Sequence, residues 1–489
     1  MDAGEAGKPA IRPKDRRLCA ECVEEPYLRE VILDDGHEGT CSYCEENGKT
    51  LSVDDVADRV AAVLSKFFFR TAAQPLDDSE VPTGGWRRAG QPVVEVIAHL
   101  VDCRYLAADD IRCVLSEREN DLESDQTDTG ERPFDAEAHY ARNRSVDAGD
   151  FDSYWYAFER GLKTKNRYFN WEAHATLTSI FAGIDGLNTT TGRPVIVEAG
   201  PGTNLTALYR ARVFQSEKKL RDAMKRPDLD LGPPPPSNAI AGRMNAAGIA
   251  VFYGATDPDV ALTEVRPPVG SRVLIATFEV IHPLRLLDLE ALESVRDGEG
   301  SVFDPGHVNR LEQAAFLRGL SGLISEPVMP NDEARDYIPT QAIADFLAAM
   351  TDPALDGIIY PSVQVDHRPT RFRMLGGGAD RRNVVLFQKS ARVQTLDIPE
   401  GTDVSVSDDD IFSMYQPGLF GGPNDVPGFP DNGSELNYTV FEKVPNAAPA
   451  SEPDDAPLRF SSLEVRSVKG VEFKNTSSQV SRYRDEAPS

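Results

Sequence analysis

Apolar residues recur at three- and four-residue steps through SVDDVADRVAAVLSKFFF (52–69), with Ser52 placed to cap and acidic residues following it, which predicts a helix. The same spacing runs through 92–118 and through FDSYWYAFERGLKTKNRYF (151–169), on either side of the acidic loop SERENDLESDQTDTGERP. A small helical domain over 51–185 follows. After GIDGLNTTTGRP the pattern shortens to β-rich runs: VIVEA (195–199), LTALYRARVF (205–214), IAVFYGA (249–255), RVLIATFEV (272–280), DGIIYPS (356–362) and NVVLFQ (383–388). EQAAFLRGL and PTQAIADFLAAM between them read as helices, so 186–395 is a mixed α+β domain, with LGPPPPSN (231–238) a stiff internal connection. From 396 to 489 the chain is acidic and rich in Pro, Gly and Ser. We expect a partly disordered extension there, with ASEPDDAP its most linker-like stretch, LEVRSVKGVEF (463–473) a late strand or hairpin, and a mobile end.

Composition adds limits to this picture. A chain of 489 residues with 40% hydrophobic side chains suits two or three globular domains. Its 79 acidic residues against 52 Lys and Arg give a formal charge of -27, which repels polyanions at long range and disfavours broad nucleic-acid binding. A concave Arg cluster can still hold a small anion, because it focuses its own field. MDAGEAGKPAIRPKDRR lacks an apolar run, and no stretch reaches the roughly 20 apolar residues that span a bilayer. The expectation is a cytoplasmic protein without a membrane partner, whose cysteines stay reduced.

In that setting Cys19, Cys22, Cys41 and Cys44, spaced as CAEC and CSYC, read as two knuckles holding one zinc ion within segment 1–50. Four thiolates leave no open coordination position, so the metal would be structural. Unligated buried thiols and a redox pair are the alternatives. His37, between the knuckles, reads as a solvated loop residue, and Cys103 and Cys113 as core residues of a helix.

Three pieces of the β-rich half carry chemistry: LYRAR (208–212), AGRMNAAGIAVFYGATDPDVALTEVR (241–266) and GIIYPSVQ (357–364). The middle piece sets an Arg in a Gly-and-Asn loop, then a strand ending in Tyr, then a helix start bearing Glu. In this order the chain resembles the RES domain of bacterial NAD-degrading toxins, named for Arg, Glu and Ser, here Arg243, Glu264 and Ser362. The resemblance covers about 195–390. It implies a fold similar to ADP-ribosyltransferases and cleavage of the nicotinamide–ribose bond of NAD, by water or by inorganic phosphate, with an antitoxin or a second copy of the chain as possible partners and a role as toxin or defence effector.

The residue types suit that reaction. Departure of nicotinamide leaves an oxocarbenium-like ribose, which a carboxylate such as Glu264 stabilises. Arg210 and Arg243 match the family's positions and offer planar, permanently charged donors to a diphosphate. Tyr253 could stack on the nicotinamide ring, and Ser362 could hydrogen-bond its amide or the ribose. Singly, each has a plain structural reading: a solvated helix turn, an edge-strand charge, a half-buried strand residue, a turn former after Pro361. The family's loop commonly reads Gly-Arg-Phe-Asn where this one has Met244. Alternation along LYRAR sends Tyr209 and Arg210 to opposite faces and leaves Arg212 as an alternative to Arg210. EARDYIPTQ (333–341) sets Glu333, Tyr337 and Gln341 at four-residue steps, and the resemblance implies that this face borders the pocket.

The helical front half is similar to the HEPN-like domain that accompanies RES domains. Arg132 and His139 come within the spacing of HEPN ribonucleases, but His139, on an apolar helical stretch with Phe134 and Tyr140, reads as structural. Transfer of ADP-ribose to a macromolecule and a non-catalytic, zinc-dependent interaction protein are the alternative functions.

Overall fold

The computed structural model describes residues 11–75, 86–122, 132–143, 146–349, 353–362, 381–398, 403–406, 412–415 and 455–470. The centre of the acidic loop, the last two residues of GIIYPSVQ and most of the C-terminal extension, with the end expected to be mobile, lie outside the described residues. The fold is mixed α+β. It divides into two compact units, Met1–Tyr154 with Arg296–Leu317, and Trp155–Val295 with Arg318–Ser489. No described helix is long and apolar enough to cross a membrane.

In the first unit Ser52 caps the helix Val53–Phe67, its Oγ accepting from Asp55 N at 3.1 Å. That helix buries Val53, Val56, Ala57, Val60, Val63, Leu64 and Phe67, the stripe its spacing predicts. The run expected as one helix over 92–118 is two, Val93–Val101 and Tyr105–Leu122. Asp102 breaks it by taking a left-handed conformation at φ 49°, which a short polar side chain tolerates. Cys103 therefore sits in the break, paired as an isolated bridge with Val23, and Cys113 on the second helix. His139 is not on a helix. His139–Arg142 is a strand, pairing antiparallel with Phe68–Thr71, because the backbone leaving the first helix offers it a partner that periodicity along one segment cannot reveal.

The second unit is built on eight strands: β1 (Ile196–Ala199), β2 (Ala207–Phe214), β3 (Phe252–Ala255), β4 (Arg272–Val280), β5 (Leu284–Asp288), β6 (Gly357–Pro361), β7 (Arg382–Leu386) and β8 (Leu458–Ser467). Their order across the sheet is β8-β4-β2-β3-β7-β6-β5-β1, with β5 and β6 parallel and the other pairs antiparallel. The late strand expected near 463 is β8, laid along β4. Leu208, Phe252, Phe278, Leu286, Ile359 and Val384 fill the core of one face. On the other, Tyr209 and Ala211 of β2 pack with Ala255, Val260 and Ala261, under the helix α1 (Pro258–Glu264).

One joint in this sheet is loose. β2 pairs with β4 along all eight of its residues, whereas it meets β3 in register only at Tyr209↔Ala255.

Candidate functional site

In the first unit, the strands Arg17–Cys19 and His37–Thr40 flank Asn47–Ser52, so each delivers one cysteine pair to the same small sheet. A tight turn, with Glu45 at φ 65° and its N–H bonded to Cys41 O at 3.0 Å, folds the second pair back. The four Sγ atoms of Cys19, Cys22, Cys41 and Cys44 all lie within 4.8 Å of one another. Cys19 and Cys44 approach to 3.5 Å and Cys22 and Cys41 to 3.9 Å, with no disulfide. Four thiolates about 2.3 Å from one tetrahedral ion stand roughly 3.8 Å apart, so the donor set and its size fit a metal. Burial pushes the Cys41 thiol up, but backbone N–H groups of Tyr43, Cys44 and Cys19 outweigh it and bring it down to about 7. His37 is exposed and outside the cluster. Asp110, buried on the helix Tyr105–Leu122, accepts from Arg16 at 2.6 Å and from Tyr43 at 2.7 Å, which ties the knuckles to the helices.

In the second unit, α1 starts at a cap in which Asp257 accepts from Asp259 N and Val260 N, and it ends on Glu264. Ser362, fully buried just past β6, donates to Glu264 Oε1 at 2.7 Å. Asn383, buried on β7, donates to the same oxygen at 2.8 Å. Glu264 itself is exposed, and among the described residues Oε1 is held by these two donors while Oε2 has no partner. Asn383 was missed by sequence reasoning, which read NVVLFQ only as a strand. A buried amide opening an otherwise apolar strand was the available signal.

Arg243 reaches the same neighbourhood through its loop. Asn245, buried, gives its amide N–H groups to the carbonyls of Ile240 and Ile249, both at 2.9 Å, and takes the Tyr253 hydroxyl at 2.8 Å. That hydroxyl in turn accepts from Met244 N at 3.0 Å. A Cβ on Gly242 would lie 2.6 Å from the Tyr253 oxygen, so the loop requires glycine at this approach. Burial raises the Tyr253 phenol to about 12 and also pushes the nearby Tyr360 phenol up, with Tyr253 and Glu264 adding to the latter. Tyr253 thus spends its hydroxyl on the loop that carries Arg243.

Arg210 shares no hydrogen bond with these residues, though its charge acts on the Tyr253 phenol. It points to the opposite side of β2 from Tyr209, with its guanidinium carbon 5.2 Å from the centre of the Phe252 ring. Arg210 and Arg212 line a cavity of about 440 Å³ with Leu229, Asp230, Pro234 and Asn238. Arg212 is tied down by Asp230 at 3.0 Å. Among the described residues Arg210 Nη1 has no hydrogen-bond partner and is sealed from solvent, and burial, then Arg212, pull its pKa down to about 10. The guanidinium stays charged at neutral pH, so this is a buried cation that lacks an anion.

Arg243, Tyr253, Glu264 and Ser362 are therefore gathered on one side, and Arg210 faces a cavity of its own. No curated protein and no solved structure matches the chain. Residues 207–408, the stretch that contributes all five together with Asn383, match the family described as the RES domain.

Proposed function

We propose that the RES-matching segment binds NAD and breaks its nicotinamide–ribose bond, passing the ADP-ribosyl group to water or to inorganic phosphate. The observation that carries this reading is the Glu264 carboxylate, held at one oxygen by Ser362 and Asn383 and open at the other, on a segment that matches the RES domain. The glycosidic C–N electron pair leaves with nicotinamide, which departs neutral because its ring nitrogen was cationic. The ribose carbon is left electron-poor, and Glu264 Oε2 is the group that stabilises it. Water then adds and loses a proton, giving ADP-ribose, or phosphate adds, giving ADP-ribose 1-phosphate.

Arg243 is assigned to the diphosphate of NAD. Arg210 answers the same chemistry from its cavity, as a buried cation in want of an anion. Ser362 and Asn383 keep the Glu264 carboxylate oriented, so less reorganisation is needed as charge develops. The four cysteines are assigned to a structural zinc ion, with cytoplasmic residence the setting that keeps them reduced.

The test is to incubate the pure protein with NAD, with and without phosphate, and to resolve the products. Free nicotinamide with ADP-ribose or its 1-phosphate supports the reading and separates water from phosphate as acceptor. Label carried to a macromolecule converts it to ADP-ribosyl transfer, and unchanged NAD ends it.

A further inference from the structure

Arg243 is also held by a second stretch of chain, the one that carries EARDYIPTQ. α2 (Glu333–Asp336) and α3 (Ile338–Ala349) meet at Tyr337, and the turn from Tyr337 to Gln341 grips the Arg243 loop at three points. Thr340 Oγ1 donates to the Arg243 carbonyl at 2.5 Å, and Gln341 Nε2 donates to the Gly242 carbonyl at 2.8 Å. The Tyr337 ring lies under the guanidinium, its centre 4.8 Å from the Arg243 Cζ. Arg243 Nη1 donates to the Ile324 carbonyl at 2.6 Å. Among the described residues, the guanidinium has one further polar contact, with the Tyr337 hydroxyl, and its Nε and Nη2 edge meets no carboxylate or carbonyl, which leaves that edge to take a phosphate in bidentate geometry.

We infer that Tyr337 is the positioning residue for Arg243: its ring, with Nη1 pinned to Ile324, fixes the plane of the guanidinium and turns the Nε and Nη2 edge toward the diphosphate of the substrate. A flexible arginine would lose rotamer freedom on binding, and a flat platform removes that cost beforehand. The ring is the platform: the hydroxyl donates to Glu333 Oε1 at 3.2 Å and also meets the Arg243 guanidinium, and Tyr337→Phe removes both of these contacts while keeping the ring. In its assignment of the substrate this inference rests on the NAD reading above. The placing of Arg243 for a diphosphate stands apart from the bond that is broken.

The experiment therefore has two readouts, inorganic pyrophosphate binding by calorimetry and NAD turnover, on the full chain and on Tyr337→Phe, Tyr337→Leu and Tyr337→Ala. The expected result is pyrophosphate affinity within about twofold of the parent in Phe, and about tenfold weaker in Leu and Ala, the scale of one cation–π contact. KM for NAD should follow the same order, with kcat changed far less, because the interaction holds substrate and transition state alike. Leu separates the ring from mere bulk: if Leu binds as tightly as Phe, or if the parent does not bind pyrophosphate, the inference is overturned. If pyrophosphate affinity follows the ring while the parent leaves NAD intact, the inference stands and the NAD reading alone falls.

Discussion

The sulfur cluster of the first unit draws its donors from a stretch of 25 positions, Cys19 to Cys44. The Glu264 pocket of the second reaches 98 positions to Ser362 and 119 to Asn383. The first is written into the chain as a spacing, because two short turns suffice to close it. The second exists only once β7 lies beside the strand that leads into α1, with β6 along the far side of β7. Their dependence on the fold differs accordingly: the cluster organises its surroundings, whereas the pocket is organised by them.

The sharpest test of that contrast is to remove the metal that the cluster is proposed to hold. Structural zinc sites contribute on the order of 10 kcal/mol of folding free energy, more than a small sheet of three strands can replace. Chelation, or Cys41→Ser, should unfold the knuckles and lower the melting of the first unit. NAD turnover by the second should persist. Proteolysis followed by mass mapping reads the two units separately, and equal protection before and after chelation would deny the cluster its structural role.

Glu264→Gln comes next in size and inverts the pattern. The amide keeps an oxygen to accept from Ser362 and Asn383, so the fold should melt within a degree or two of the parent. Turnover should drop by at least about a hundredfold, the usual scale for one group that stabilises transition-state charge. Retained turnover would remove the carboxylate from the chemistry.

Legibility followed the same divide. The CAEC and CSYC spacing pointed to a cluster that the folded chain forms, and the amphipathic stripe after Ser52 marked the helix it predicts. Arg243, Glu264 and Ser362 were legible as an ordered set of residue types, yet which atoms meet was not, because strand order is a long-range property. Asn383 escaped for that reason. So did Thr340, which lies in the run that reads as a helix and donates its hydroxyl to the Arg243 carbonyl. The misplacement of His139 on a helix has the same root, since its strand partner lies some 70 residues earlier. Alternation alone did place Arg210 and Tyr209 on opposite faces of β2, since period two is a local property.

Arg210 gives a test of intermediate size. A buried guanidinium with an unpaired Nη1 is costly, so Arg210→Met, which keeps the length and stacks on Phe252, should raise stability by about 1 kcal/mol in denaturant melts. On the NAD reading, in which the diphosphate is the anion this cation lacks, the same change should raise KM for NAD. A variant that is both stabler and weaker in binding marks a functional residue. One that is less stable marks a structural residue, and would move Arg210 from the pocket side of the comparison to the scaffold.

The smallest expected effect separates two roles for Tyr253. The sequence suggested a ring that stacks on nicotinamide, and the structure has its hydroxyl bridging Met244 N and Asn245 Oδ1. Tyr253→Phe keeps the ring and deletes both bonds, leaving a buried N–H and a buried carbonyl oxygen short of a partner, at a cost of about 1 kcal/mol. If stacking is what matters, KM for NAD is unchanged and only the melt moves. If the hydroxyl holds the Arg243 loop, KM rises a few-fold alongside the loss of stability, and pyrophosphate binding weakens with it. Since Arg243 is gripped independently from the Tyr337–Gln341 side, the rise should stay below that of Tyr337→Ala. A larger rise would make the Asn245–Tyr253 bridge, and not the aromatic platform, the main support of the guanidinium.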